Sequence, residues 1–135
     1  MKIKSVLSSP EIRFADIDVM GHVNNAVYLS YFEQARMKWF ETFAGKEWDW
    51  NTFGILLARN EINYRQPVLL HDQLQIETWC SKIGTKSLEV CYEVFIQKEE
   101  NKIIKADGLS VLVCFDYHKK TTIHVPDYWR KMLEE

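Results

Sequence analysis

The chain contains no apolar run approaching the roughly 20 residues of a membrane span, so no membrane partner is expected. Its opening, MKIKSVLSSPEIRF, also lacks the continuous apolar core of a secretory signal, and a cytoplasmic location is expected. Neither sign of charge is in excess: the net charge of −2 gives no basic field, which argues against a nucleic-acid partner. Cysteine is scarce. Cys80, Cys91 and Cys114 are odd in number and have no C-x-x-C spacing, which points to reduced thiols packed as small core residues. There is no Pro/Gly/Ser-rich linker, low-complexity tract or internal repeat, so residues 1–135 form one domain. G-x-S-x-G, G-x-G-x-x-G and Walker sequences are missing, which removes the main support for serine-hydrolase, dinucleotide and nucleotide chemistry. His71, His118 and His124 are scattered, with no H-E-x-x-H or Cys/His cluster, and no metal is expected.

What is present suffices for a compact core: 47% hydrophobic and 27% charged residues in 135. The first segment, from KIKSVLSS through EIRFAD, reads as a strand interrupted near Pro10. From Asn24 to about Phe43 the period becomes helical. Val27, Tyr28, Tyr31, Phe32, Ala35, Trp39 and Phe43 share one face, Glu33, Arg36 and Lys38 take the other, and Gly45 supplies the stop. Such a helix is about 30 Å long, enough to cross a sheet. After a Trp-rich connection come four strand-like segments. ILLARNEINYRQPV is extended, and QLQIETWC puts Leu74, Ile76, Thr78 and Cys80 on one face. SLEVCYEVFIQ groups Leu88, Val90, Tyr92, Val94 and Ile96, while KADGLSVLVCFDY groups Leu109, Val111, Val113 and Phe115. PDYWRKML reads as a short last helix begun by Pro126. Trp39, Trp48, Trp50 and Trp79 are read as core and interface residues. Three hairpin-spaced strands in succession imply an antiparallel sheet, and one greasy helix must lie against it. The expected fold is α+β: a curved five-stranded antiparallel sheet around one long helix, in the order β-α-β-β-β-β, with a short C-terminal helix.

The polar stretch DIDVMGHVNNAVY, Asp16 to Tyr28, stands at the entrance of that helix. Capping explains much of it: Asn24 or Asn25 accepts an orphan N–H, Asp16 and Asp18 complement the dipole, and Gly21 turns the chain. It also holds what acyl transfer requires. A helix N-terminus aims N–H donors that stabilise an oxyanion, and a nearby carboxylate can attack a carbonyl or deprotonate a water.

RFADIDVMGHVNNAVYLSYFEQAR, Arg13 to Arg36, resembles the hot-dog-fold acyl-CoA thioesterases of the 4-hydroxybenzoyl-CoA thioesterase type. Their pattern runs D-x-D-x-x-G-h/H-V-x-N/H-x-x-Y and continues into an E-x-A-R-like helix. INYRQPVLLHDQLQIET, Ile62 to Thr78, resembles their Y-x-x-P-x-x-x-x-D segment. The resemblance implies that Asp18 is the catalytic carboxylate, as base or nucleophile, and that Asp16 supports the turn. It implies that the backbone amide polarising the thioester carbonyl is at Asn25, with Gly21, His22, Val23 and Asn24 shaping the approach. His22 corresponds to a histidine proposed to be catalytic in an acyl-carrier-protein branch; there an asparagine follows the acid by two positions, where this chain has Met20.

The resemblance further implies hydrolysis of an acyl-CoA, with coenzyme A as part of the substrate and no separate cofactor. It also implies a homodimer or homotetramer, built by edge-to-edge pairing of sheets with the site at the junction. Tyr28, with Tyr31 nearby, is placed to line an acyl pocket. Lys86 with Lys82, or Lys119 with Lys120, is suited to coenzyme A phosphates, although a solvated turn explains either pair. Thr85 and Ser87 are candidate pocket hydroxyls. Alternative functions are acyl-carrier-protein thioesterase, enoyl-thioester hydratase or dehydratase, and non-catalytic acyl-thioester binding.

Overall fold

The computed structural model describes residues 1–135. The chain runs β1 (Ile3–Ser8), a 3-10 turn (Phe14–Asp16), α1 (Val27–Glu41), β2 (Phe53–Tyr64), β3 (Gln75–Ile83), β4 (Ser87–Lys98), β5 (Asn101–Asp116), β6 (Thr121–Thr122) and α2 (Asp127–Glu134). The strands form one antiparallel sheet in the order β1-β3-β4-β5-β2, with the two-residue β6 beside the end of β5. The sheet curves around α1 in the expected hot-dog arrangement, and α1 lies toward its β1 and β3 side.

The helix follows its apolar period. Tyr28, Tyr31, Phe32, Ala35, Trp39 and Phe43 are buried. The regular part is shorter than Asn24–Phe43, because the first and last turns close by tighter bonds: Val27 N–H to Asn24 O and Phe43 N–H to Phe40 O. Gly45, at φ +86°, ends it in the left-handed region. Arg36 corrects the two-sided reading: it is buried at 6% exposure, carried beneath the helix flank beside Tyr92. At the far end Trp129 of α2 packs against Phe40, Phe43, Trp48 and Trp50, making an aromatic cluster remote from the helix entrance. Trp79 points to the other face of the sheet, half-buried under Lys2.

Two further expectations change. Residues 11–13 are not strand, and Phe14–Asp16 is a 3-10 turn, because Asp16 folds back to accept the Arg13 N–H. β4 keeps its expected face: Leu88, Val90, Tyr92 and Val94 are buried in the core with Ile96 packed half-buried against it, and Phe95 is covered separately, by Lys102. In β5 the inward face is Ala106, Gly108, Ser110, Leu112 and Cys114, not Leu109, Val111, Val113 and Phe115, which are half-buried on the outer face. The reason is room for the helix. A Cβ on Gly108 would stand 2.1 Å from the Glu61 carbonyl oxygen and 3.0 Å from the Phe32 ring. That ring stacks on Tyr92 at 4.0 Å between centroids. Apart from Leu112, small residues therefore occupy the inward face, and Leu109, Val111, Val113 and Phe115 face out.

Candidate active site

The loop between the 3-10 turn and α1 is closed by its own backbone. Asp18 N–H donates to His22 O at 2.9 Å, and Gly21 N–H donates to Asp18 O at 3.0 Å. Ile17 and Val23 pair as an isolated bridge. Gly21 has φ +81°, which allows the reversal. At the tip the Met20 N–H donates to Asp18 Oδ1 at 2.9 Å, while Asp18 Oδ2 has no partner in the chain. One carboxylate oxygen thus fixes the side chain and the other is available.

The two acids differ sharply in surroundings. Asp16 is 2% exposed and accepts from Arg13 N–H at 2.9 Å, the Arg13 guanidinium at 3.1 and 3.3 Å, and the Tyr31 hydroxyl at 2.8 Å. Burial works against its charge, but the Arg13 N–H, the Tyr31 hydroxyl and the Arg13 guanidinium together hold its carboxyl below the usual range. Burial first, then Asp16 itself, pushes the Tyr31 phenol well up. Asp16 has no free oxygen for chemistry. Asp18 is half-buried at the rim of a cleft.

At the helix entrance the polar groups pair in a definite order. Asn24 N–H donates to Asp16 O at 2.9 Å, Ala26 N–H to Asn24 Oδ1 at 2.9 Å, and Val27 N–H to Asn24 O at 2.9 Å. Asn24 is therefore the working cap, although the regular helix begins three residues later. Among these successive amides only Asn25 N–H has no partner in the chain. A donor at a helix N-terminus, fixed in direction and unspent, is what a developing oxyanion needs.

The segment after β2 builds the opposite wall. Tyr64 donates its hydroxyl to Asn25 O at 2.8 Å and sets its ring edge-on to Tyr28, 5.0 Å between centroids. Burial, then the neighbouring Tyr64, raises the Tyr28 phenol pKa. Arg65 N–H and Gln66 N–H both donate to Lys105 O, Lys105 Nζ donates to Pro67 O at 3.1 Å, and Val23 N–H donates to Val68 O at 2.9 Å. Asp72, the last residue of the second motif, accepts the Leu69 N–H at 2.9 Å and so closes this loop. Both motifs therefore meet at one place.

Their meeting encloses a cleft of about 350 Å³, half polar in its lining. Of the residues chosen from the sequence, Asp18, His22, Val23, Asn25 and Tyr28 line it, while Gly21 and Asn24 shape the turn and the cap behind it. Lys86 is not brought there. It lies in the β3–β4 turn beside Val113, whereas Tyr64 pairs with Ala106, so about 23 Å of strand separates them. Thr85 goes with it, into a different depression beside His124. Met20, Tyr64, Arg65, Gln66 and Pro67 complete the lining and were not chosen from the sequence. For Tyr64 the signal was available, since it opens the second motif.

Comparison with known proteins points the same way. Residues 12–133 match the family model described as the thioesterase-like superfamily. The long-chain acyl-CoA thioesterase FadM of Escherichia coli (strain K12) is 29% identical over 126 residues, covering 93% of this chain and 94% of the relative. A crystal structure of a thioesterase complexed with coenzyme A and Zn, from Thermus thermophilus, aligns with a TM-score of 0.82 and 32% identity, covering 96% of this chain and 97% of that one. A thioesterase superfamily structure from Jannaschia sp. CCS1 reaches a TM-score of 0.87 at 17% identity, over 96% of this chain and 91% of that one, and bears on the fold alone.

Proposed function

The chain belongs to the thioesterase-like superfamily, and from that premise we propose that it hydrolyses acyl-CoA thioesters to a carboxylic acid and coenzyme A. The observation that carries this reading is the pairing, on one cleft, of a carboxylate with a free oxygen and a backbone N–H with no partner: Asp18 and Asn25. The thioester carbonyl oxygen accepts the Asn25 N–H. Asp18 then deprotonates a water that attacks the carbonyl carbon, or attacks it directly to form an anhydride that water opens. In either route the carbonyl becomes a tetrahedral oxyanion held by the amide and the positive end of the helix. Collapse breaks the C–S bond and releases the coenzyme A thiolate, with His22 at the cleft wall assisting its departure. Val23 and Tyr28 supply the apolar side of the acyl subsite, and Gly21 and Asn24 hold the turn that leads to it.

The supporting assay is thiol release over short, long and aromatic acyl-CoAs, run beside Asp18→Asn. Loss of the carboxylate should lower kcat at least about 100-fold with the fold retained. Wild-type turnover by that variant would sink the assignment. Tight binding without thiol release across the panel would favour a binding protein instead.

A homodimer belongs to the same reading. β2 is a sheet edge, and Leu56 and Leu57 on it are 41% and 47% exposed, with Phe53 and Tyr64 similarly bare. A twelve-residue edge strand carrying these exposed apolar side chains invites pairing with a second copy. Tyr64 lies at one end of that edge, so pairing there would put the cleft at the junction. The cytoplasmic placement rests on three cysteines that are all unpaired.

A further inference from the structure

Resting on the thioester reading above, we infer that Tyr64 is a positioning residue for hydrolysis, acting through its hydroxyl on the Asn25 amide. Tyr64 is the last residue of β2, and its hydroxyl crosses to the helix entrance to donate to Asn25 O at 2.8 Å. That carbonyl and the Ala26 N–H are the two ends of one peptide plane. Tyr64 holds the first end, and Asn24 Oδ1 holds the second at 2.9 Å. The preceding plane contains Asn24 O, which accepts the Val27 N–H at 2.9 Å, and the Asn25 N–H, which has no partner. Two consecutive planes are thus tied at three of their four polar ends, and the fourth is the unpartnered donor of a residue that lines the cleft.

Tying the planes has two physical effects. It stops the chain rocking about the Asn25 Cα, so the free N–H keeps its direction through the reaction; a misdirected donor loses most of its strength. The Val27 N–H bond to Asn24 O also makes the Asn25 N–H of that plane a stronger donor, so the Tyr64 bond, made on the next plane, acts on the direction of the donor. The Tyr64 tie is distinctive because it comes from the sheet, whereas the bonds at Asn24 Oδ1 and Asn24 O lie within the turn itself. Its edge-on contact with Tyr28 keeps the phenol from swinging away. Burial raises the phenol's pKa, so it remains a donor across neutral pH.

Tyr64→Phe keeps the ring and its packing and deletes only the donor. Expected is a fall in kcat of about fivefold to tenfold, the worth of one net hydrogen bond. KM should stay within about twofold, since ground-state contacts are kept. A second readout is spectroscopic: an acyl-CoA labelled with 13C at the thioester carbonyl, bound to Asp18→Asn protein. There the Asn25 N–H should shift the carbonyl stretch to lower frequency, and adding Tyr64→Phe should move the band back toward its position in free acyl-CoA. The inference is overturned if kcat is unchanged in Tyr64→Phe, or if kcat falls while the carbonyl band stays where it was. Wild-type protein that releases thiol from no acyl-CoA would overturn the thioester reading as well. Active protein indifferent to the hydroxyl overturns this inference alone.

Discussion

If the oxyanion donor is a backbone N–H, replacing the Asn25 side chain should matter little and removing its N–H should matter greatly. Asn25→Pro does the second. The local structure suits it: Asn24 acts as the cap, which puts position 25 at the first helical position, where proline's fixed φ is favourable. A cap residue ordinarily sits in the extended region, the conformation that a following proline imposes. The Asn25 N–H makes no bond within the chain, so the folded state loses none, and the Asn25 carbonyl remains to accept from Tyr64. Stability should therefore change by less than about 1 kcal/mol. Catalysis has no such shelter. Removing one oxyanion donor costs about 3–4 kcal/mol in the transition state, or roughly 10²- to 10³-fold in kcat. Asn25→Ala keeps the N–H and should retain most activity. The assay is thiol release at saturating acyl-CoA, with thermal melts alongside. A folded Asn25→Pro protein with near wild-type kcat would refute the amide's role, and an Asn25→Ala variant as damaged as the proline variant would move the chemistry to the side chain.

Other expectations follow from the same geometry. Asp16→Ala should destabilise the fold by about 2 kcal/mol, by leaving the buried Tyr31 hydroxyl without its acceptor; urea unfolding measures it. The Asp16 carboxyl is held below its ordinary 3.8, so its stabilisation is complete above about pH 4 and is lost as pH falls through the lower folded value. The stability gap between wild type and Asp16→Ala should accordingly narrow in acid, and a gap that widened would contradict the assignment. Gly108→Ala should cost about 3 kcal/mol, because the new methyl meets the Glu61 backbone oxygen at 2.1 Å and must part β2 from β5. Leu57→Lys should convert a dimer to monomer in light scattering, and a wild-type monomer would remove the basis of the edge-pairing proposal.

Most of the architecture could be read from periodicity because few segments are apolar on both faces. β3 alternates between buried and half-exposed positions, and its inward residues Ile76, Thr78 and Cys80 are those the alternation selects. β5 defeats the same reasoning. Leu109, Val111, Val113 and Phe115 look like a core face, but the true core face is built from smaller residues that admit Phe32. Period-two patterning ranks faces by hydrophobicity; here the deciding quantity is the space left for a helix. Arg36 is a similar case, since its helical position suggests solvent, yet it is buried beside Tyr92 with Glu33 as its ion-pair partner. The candidate site was legible where it is local. Asp18, His22, Val23, Asn25 and Tyr28 lie within eleven residues of chain and share one cleft. The opposite wall arrives from β2 and the loop after it, and cross-chain pairing is not encoded in spacing. Lys86 stands apart from the cleft within one chain for the same reason: a cation near a turn carries no information about which end of the sheet the turn occupies.

The division of labour between the two acids follows from where their hydrogen bonds go. Asp16 is joined to both halves of the site. Its backbone oxygen accepts the Asn24 N–H that starts the helix, and its side chain is held by Tyr31 one turn inside that helix. The loop bearing Asp18 begins two residues later and closes on itself through His22 O. Asp16 therefore sets how far the Asp18 carboxylate stands from the Asn25 amide, and the cost of burying it is met by Arg13 and Tyr31. A carboxylate so fully bonded is of little use as a base, because every proton it accepted would break a bond that holds the site in shape. Asp18 has the opposite arrangement, with one oxygen bonded to Met20 N–H, which fixes its direction, and the other unbonded, as the proposed role requires. The spacing D-x-D lets one residue anchor the helix entrance while the next acid, across a single intervening residue, remains free to react.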